Sequence, residues 1–221
     1  MAIEVTSLDF NKKLLIIGCG GHSKVVTDIA ESIGFANISF LDTFSDKDTF
    51  LGRNVIHQEI ENYREYFFVA IGENSLRERI FNNFQLKNKN SIPLSLIHPS
   101  SIISPRCSIG NGTVIMPLCV INSFSKIGNG VIINTRSSID HDNCLKSFSS
   151  IAPGVSTGGN VYVGERSAVS IGASINNGIK IGSDVVIGAS SLVNKDIDNN
   201  WVAYGTPVKL IRERKIGDKY L

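Results

Sequence analysis

The chain is poor in the residues that staple small folds or hold metals, with four cysteines, four histidines and one tryptophan among 221 residues. No two cysteines stand in C-x-x-C spacing, which argues against both a zinc site and a disulfide framework. Charge of one sign is also missing. Twenty-two Lys and Arg against twenty Asp and Glu leave a net +2, clustered only in KLIRERK near the end. That is no field for a nucleic acid. No apolar run nears the roughly 20 residues that cross a bilayer. MAIEVTSLDF has neither a basic n-region nor a long apolar h-region, so a cytoplasmic location without membrane contact is expected. What the chain does have is 42% hydrophobic residues, enough for real cores.

These residues follow two different periods. Up to about residue 95, strand-like and helix-like segments alternate. KLLIIG (13–18), NISFLD (37–42) and YFFVAIG (66–72) read as strands. HSKVVTDIAESIG places Val25, Val26, Ile29, Ala30 and Ile33 on one helical face and stops at Gly34. In NSLRERIFNNF, Ser75 and Glu78 suit a capping box, and Leu76, Ile80 and Phe84 share a face. This alternation predicts a small Rossmann-like domain over residues 1–95.

From Ile97 the period becomes six. Steps of six from Ile97 to Val193 meet an aliphatic residue at sixteen of seventeen positions, the exception being Thr157. The slot four residues further on is mostly small, as at Cys107, Thr113, Cys119 and Ser137. This hexapeptide pattern predicts a parallel β-helix over residues 96–221, three short strands per coil of about 18 residues and about five coils without a large insertion. Aliphatic and small slots point inward and the remaining residues form the corners. Cys107 and Cys119 then read as core filler, and Cys144 as outward-facing.

SSIDHDNCL (137–145) interrupts this pattern with charge. The register places Asp140, His141 and Asp142 on a corner pointing away from the core. A solvated turn is one reading. The other follows from the next coil, where STGGN puts Gly158 and Gly159 beside the histidine and leaves a notch with bare backbone amides. A histidine beside amide donors has the parts of an acyl-transfer site: a base for the nucleophile's proton and a donor for the oxyanion. Metal is disfavoured by count, because this half holds only His98 and His141. Threonine ladders of the ice-binding kind are absent.

At the other end of the chain, Gly18, Gly20 and Ser23 nearly spell G-x-G-x-x-G, with Asp42 placed 22 residues after Gly20. The third glycine is missing, yet a strand, loop and helix still offer amides to a phosphate. A nucleotide ligand and a purely structural turn both stay open. Gly21, His22, Lys24, Gly72 and Asn74 are further rim candidates, and Asp42 could meet a ribose or base or simply end a strand in solvent.

GCGGHSKVV, FLD, FVAIGENSLRERI, NTRSSIDHDNCL and VAYGTPVKLIRE, in this order, resemble bacterial sugar acyltransferases of the sialic acid O-acetyltransferase type. The resemblance runs from about residue 13 to 214 and leans toward the branch that N-acetylates nucleotide-linked 4-amino-4,6-dideoxy sugars for surface glycans. It implies a left-handed β-helix, a homotrimer with active sites between subunits, acetyl-CoA as co-substrate and no permanently bound cofactor. The nucleotide end of the sugar acceptor would rest on the N-terminal domain. His141 matches the family's base and Asp142 its orienting acid, in preference to Asp140. Asn134 matches a position near the acceptor, and Gly159 the amide that holds the acetyl carbonyl. Lys209 and Arg212 are candidates for CoA phosphates or a solvated tail. Transfer to a sialic acid hydroxyl and a non-catalytic nucleotide-binding scaffold are the rival readings.

Overall fold

The computed structural model describes residues 8–215 and Asp218. Its first part runs β1 (Leu14–Ile17), α1 (Gly21–Ser32), β2 (Ile38–Leu41), β3 (Thr49–Phe50), β4 (Arg53–Ile56), β5 (Tyr66–Val69), α2 (Asn74–Lys87) and β6 (Ile92–Pro93). The sheet order is β3-β4-β2-β1-β5-β6, parallel apart from the β3–β4 hairpin. β1 lies in the middle with its four aliphatic residues buried. Because the chain leaves β1 for β2 on one side and reaches β5 on the other, a crevice opens at the carboxyl ends of these strands.

Two helix details differ from expectation. Val26, Ile29 and Ala30 of α1 are buried, but Val25 stands 37% exposed, one step round the helix from the sheet. The N-cap of α2 is Glu73, not Ser75. Its carboxylate accepts from the amides of Ser75 and Leu76, the first-turn donors a helix leaves open. Glu78 is thereby released to face Arg166. The β3–β4 hairpin was not foreseen, since TFLGRNV carries too short an apolar pattern to stand out.

Strands β7 (Leu96–Ile97) through β23 (Leu192–Val193) are all two residues long and wind into a parallel β-helix. Six lie on one face, beginning with β7, six on a second and five on a third. Partners are eighteen residues apart, as in Val114↔Ile132 and Ile133↔Ile151. The inner stack of Ile115, Ile121, Ile133, Ile139, Leu145 and Ile151 is almost wholly buried. The Cys107 and Cys119 thiols fill inward slots and reach the carbonyls of Asn122 and Asn134, both at 3.0 Å. At the far end β24 (Trp201–Tyr204) and β25 (Lys209–Glu213) form an antiparallel pair whose Ala203, together with Val208 between the strands, closes the stack.

The Rossmann-like part packs on the first face. Leu96, Val114, Met116 and Ile132 share one core with Val26, Ile29 and Ala30 of α1. Polar ties reinforce this contact. Arg77, 1% exposed, donates to the carbonyls of Ile71, Gly72, Gly130 and Phe148 and to Oδ1 of Asn74. Asn74 Nδ2 in turn donates to Ser150 Oγ and to the carbonyls of Arg166 and Ser167. Arg166 completes the seam by pairing with Asp184 and Glu78. Replacing Arg77 with methionine would strand several buried acceptors. We expect Arg77→Met to lower stability by about 3–5 kcal/mol, read by chemical denaturation, with Arg77→Lys failing to restore it because an ammonium cannot match the planar fork.

Candidate active site

His141 and its neighbours occupy the edge between the second and third faces, opposite the first. The repeat sets which side chains reach out. Ser137, Ile139, Asn143 and Leu145 are buried, and Asp140 to Asp142 form the turn. Asp142 adopts φ 58°, a left-handed conformation that short polar side chains tolerate, and this brings its carboxylate back over the ring. His141 Nδ1 donates to Asp142 Oδ2 at 2.8 Å. That bond raises the pKa of the ring, with smaller contributions from the Asp140 and Asp142 charges. It also assigns the proton to Nδ1 and leaves Nε2 as the basic nitrogen facing outward.

Asp140 has a different task. Its Oδ1 accepts from Asn122 Nδ2 and from the His141 amide, which holds its pKa below the usual carboxylate range. Its carbonyl accepts from Ser125 Oγ and Asn143 Nδ2, both at 2.7 Å. Asn143 Nδ2 also reaches the carbonyls of His141 and Gly158 from inside the prism. The repeat did hold a signal for Asn143: it puts a long amide in a slot otherwise filled by small or aliphatic residues.

Gly159 lies against the imidazole. A Cβ there would fall 2.4 Å from His141 Cε1 and 2.5 Å from Nε2, so only glycine fits beside this ring. Among the described residues no acceptor pairs with the Gly159 amide, while its carbonyl accepts from Gly178. The paired notch reduces to one glycine, because the Gly158 amide donates to the Ile175 carbonyl and the residue's open side faces Asn177. Asn134 sits one corner earlier, between the first and second faces, with Oδ1 accepting from the Thr135 amide. Cys144 faces outward on the third face between Lys126 and Tyr162. Lys209 is exposed on β25, and Arg212 is paired with Asp218 at 2.8 Å.

The N-terminal candidates divide. Gly20 and Gly21 are open, with nothing within 4 Å of where a Cβ would stand, and Lys24 is exposed. Ser23 is fully buried and donates to the Gly18 carbonyl, so it braces the loop and does not line a rim. His22 is turned inward as well. Burial, and then the Arg77 charge, push its pKa down to about 4, and its buried Nε2 has no partner among the described residues. Asp42 already accepts from the amides of Cys19, Phe44 and Ser45, which ties the first two strand ends together. Asn74 and Gly72 belong to the Arg77 seam. Between these strand ends and α2 opens a cleft of about 520 Å³, lined by Gly18, Asp42, Phe44, Arg79 and Asn83 among others, with the Phe44 ring 96% exposed at its mouth.

No described helix is long and apolar enough to cross a membrane, and no group of three or more metal-ligating side chains occurs among the described residues.

Residues 13–84 match the family model of the PglD N-terminal domain. The fold aligns with GDP-perosamine N-acetyltransferase from Caulobacter crescentus, a histidine-to-alanine variant holding CoA and GDP-perosamine. The TM-score is 0.83 and the identity 31%, over 91% of this chain and 97% of that one. The chain belongs to this family of hexapeptide-repeat sugar acyltransferases. The acetyltransferase domain of PglB from Neisseria gonorrhoeae, solved with acetyl coenzyme A, is 33% identical over 90% of this chain and 99% of that domain, with TM-score 0.85. UDP-N-acetylbacillosamine N-acetyltransferase of Bacillus subtilis is 31% identical over 113 residues, which span 48% of this chain and about half (51%) of that protein.

The Asp142 contact can be checked on the ring itself. A raised pKa means that His141 gives up its second proton only at a pH above that of an ordinary histidine. In Asp142→Asn the midpoint is expected to fall toward the ordinary value, as read by proton NMR of the ring.

Proposed function

We propose that the chain transfers acetyl from acetyl-CoA to the amine of a nucleotide-linked 4-amino-4,6-dideoxy sugar. The observation that carries this is the His141–Asp142 pair set against Gly159, where an added Cβ would fall 2.5 Å from Nε2 and whose amide no described acceptor takes. His141 Nε2 takes a proton from the attacking amine as nitrogen bonds to the thioester carbonyl carbon. The Gly159 amide donates to the oxygen that gains charge, and Asp142 steadies the imidazolium. As the carbon–sulfur bond breaks, the thiolate of CoA recovers that proton, so no acyl-enzyme forms.

In this reading the nucleotide lies at the carboxyl ends of β1, β2 and β5, beside the cleft that Gly18 and Asp42 line, with its phosphates toward the open Gly20 and Gly21 at the start of α1. His141 lies on the edge of the prism opposite the face that carries this domain. That separation supports an assembly in which one subunit's cleft serves the histidine of a neighbour, a homotrimer, with acetyl-CoA in the groove between two β-helices. Lys209 is the remaining candidate there for a CoA phosphate. The handedness, the division near residue 95, a cytoplasmic location and a role in surface glycan synthesis complete the reading.

A thiol-release assay with acetyl-CoA and a panel of UDP-, dTDP- and GDP-linked 4-amino-4,6-dideoxy sugars, with sialic acid included, tests it. Turnover with an amino-sugar nucleotide is expected, reduced by about 10²–10⁴-fold in His141→Ala and comparably in Gly159→Ala. Acetylation of sialic acid alone, or no turnover on the whole panel, would overturn the proposal.

A further inference from the structure

Thr157 is the one polar residue in the aliphatic slot of the repeat, and the structure shows what it does there. On the second face, each coil is tied to the next by a rung from the residue that follows the inward aliphatic: Ser104 to the Ile121 carbonyl, Asn122 to Ile139, Gly158 to Ile175 and Asn176 to Val193. Only at Asp140 does the rung change. There the amide donates to the Thr157 hydroxyl at 3.1 Å, not to its carbonyl. Strands β14 (Ser138–Ile139) and β17 (Ser156–Thr157) accordingly pair only at Ser138↔Ser156, while β17 stays paired with β20 (Ser174–Ile175) at both positions. The same hydroxyl reaches the Ser138 carbonyl at 3.5 Å, so one side chain meets the peptide groups on both sides of Ile139, the last strand residue before the His141 turn.

The position of this exchange matters more than its strength. Asp140 precedes His141, and Thr157 stands two residues before Gly159, so the altered rung sets the gap between the ring and the glycine. That gap has no slack, because a single added methyl at 159 would collide with the imidazole. We propose that Thr157 is a positioning residue of the acetyl-transfer site. Its hydroxyl replaces a backbone rung to hold the Asp140–His141 turn at the spacing from Gly159 that lets the basic nitrogen meet the attacking amine while the oxyanion donor meets the carbonyl it attacks. The hydroxyl does not touch substrate. An aliphatic residue at 157 would restore the regular rung and complete the repeat, improving the fold while spoiling the site.

This inference rests on the acetyl-transfer reading, and its test separates the two. Thr157→Val keeps shape and burial and removes the hydroxyl. It is expected to melt no lower than wild type, to keep KM for both substrates within about twofold, and to lose about ten- to a hundredfold in kcat, the range a small misplacement of reacting groups costs. Thr157→Ser, which keeps the hydroxyl, is expected to retain most of kcat, and Thr157→Ala to behave like valine. Equal kcat in the serine and alanine variants, or an undiminished valine variant, would overturn the role. Should Thr157→Val fold poorly, the serine and alanine pair still decides. The geometry has a readout apart from turnover: the Asp140 amide and the His141 ring resonances should move in Thr157→Val and stay near wild type in Thr157→Ser. If wild type itself turns over no amino-sugar nucleotide, the acetyl-transfer reading fails on that count alone, and unmoved resonances in the valine variant would still sink the positioning claim.

Discussion

A guanidinium buried between two unlike folds fixes the geometry of everything else. Arg77 gathers carbonyls from its own helix entry and from two coils of the β-helix, and Asn74 extends the contact to a third. Apolar packing alone holds surfaces together without choosing their rotation, since it is non-directional. A planar fork of donors, each facing a particular carbonyl, chooses one. The crevice of the sheet therefore stands at a set angle and height relative to the prism, and with it any ligand seated there.

The β-helix was legible almost completely, because its information is redundant. Every coil repeats the same instruction, so one substitution in seventeen aliphatic slots does not hide the register, and the register alone turned Asp140, His141 and Asp142 outward. The Rossmann-like half was readable in β1, β2, β5 and its two helices, but not in the β3–β4 hairpin or the short β6. Its polar residues were not, because a sequence gives no sign of whether a serine, an asparagine or a histidine near a loop faces out or in. Ser23, His22 and Asn74 all turned inward, where Gly18 and the Arg77 seam claim the first and the last. Glu73 displaced the expected cap because a carboxylate one step before the helix satisfies two amides at once.

At the site, the outline came from spacing and the tolerances came from coordinates. Eighteen residues bring both glycines to the histidine's corner, but only atoms show that the Gly158 amide is spent on the ladder while Gly159 lies against the ring with its amide unclaimed among the described residues. Asn143 and Thr157 were visible as breaks in a pattern. Their meaning lay in where their polar atoms point, which a pattern of sizes does not encode. Both breaks converge on Asp140, whose amide, carbonyl and carboxylate are all held.

The coiled half also measures length. Successive coils rise by the spacing of paired strands, about 4.8 Å, and the docked domain grips the prism at Leu96, Val114 and Ile132. Ile132 opens the coil that carries His141, so the corner stands level with that grip. A gain or loss of eighteen residues beyond Ile187 would lengthen or shorten the prism by one such step at its far end and leave every hydrogen bond of the corner intact, as a graduated rule is extended past its cursor. The repeat thus confines any change of length to whole coils.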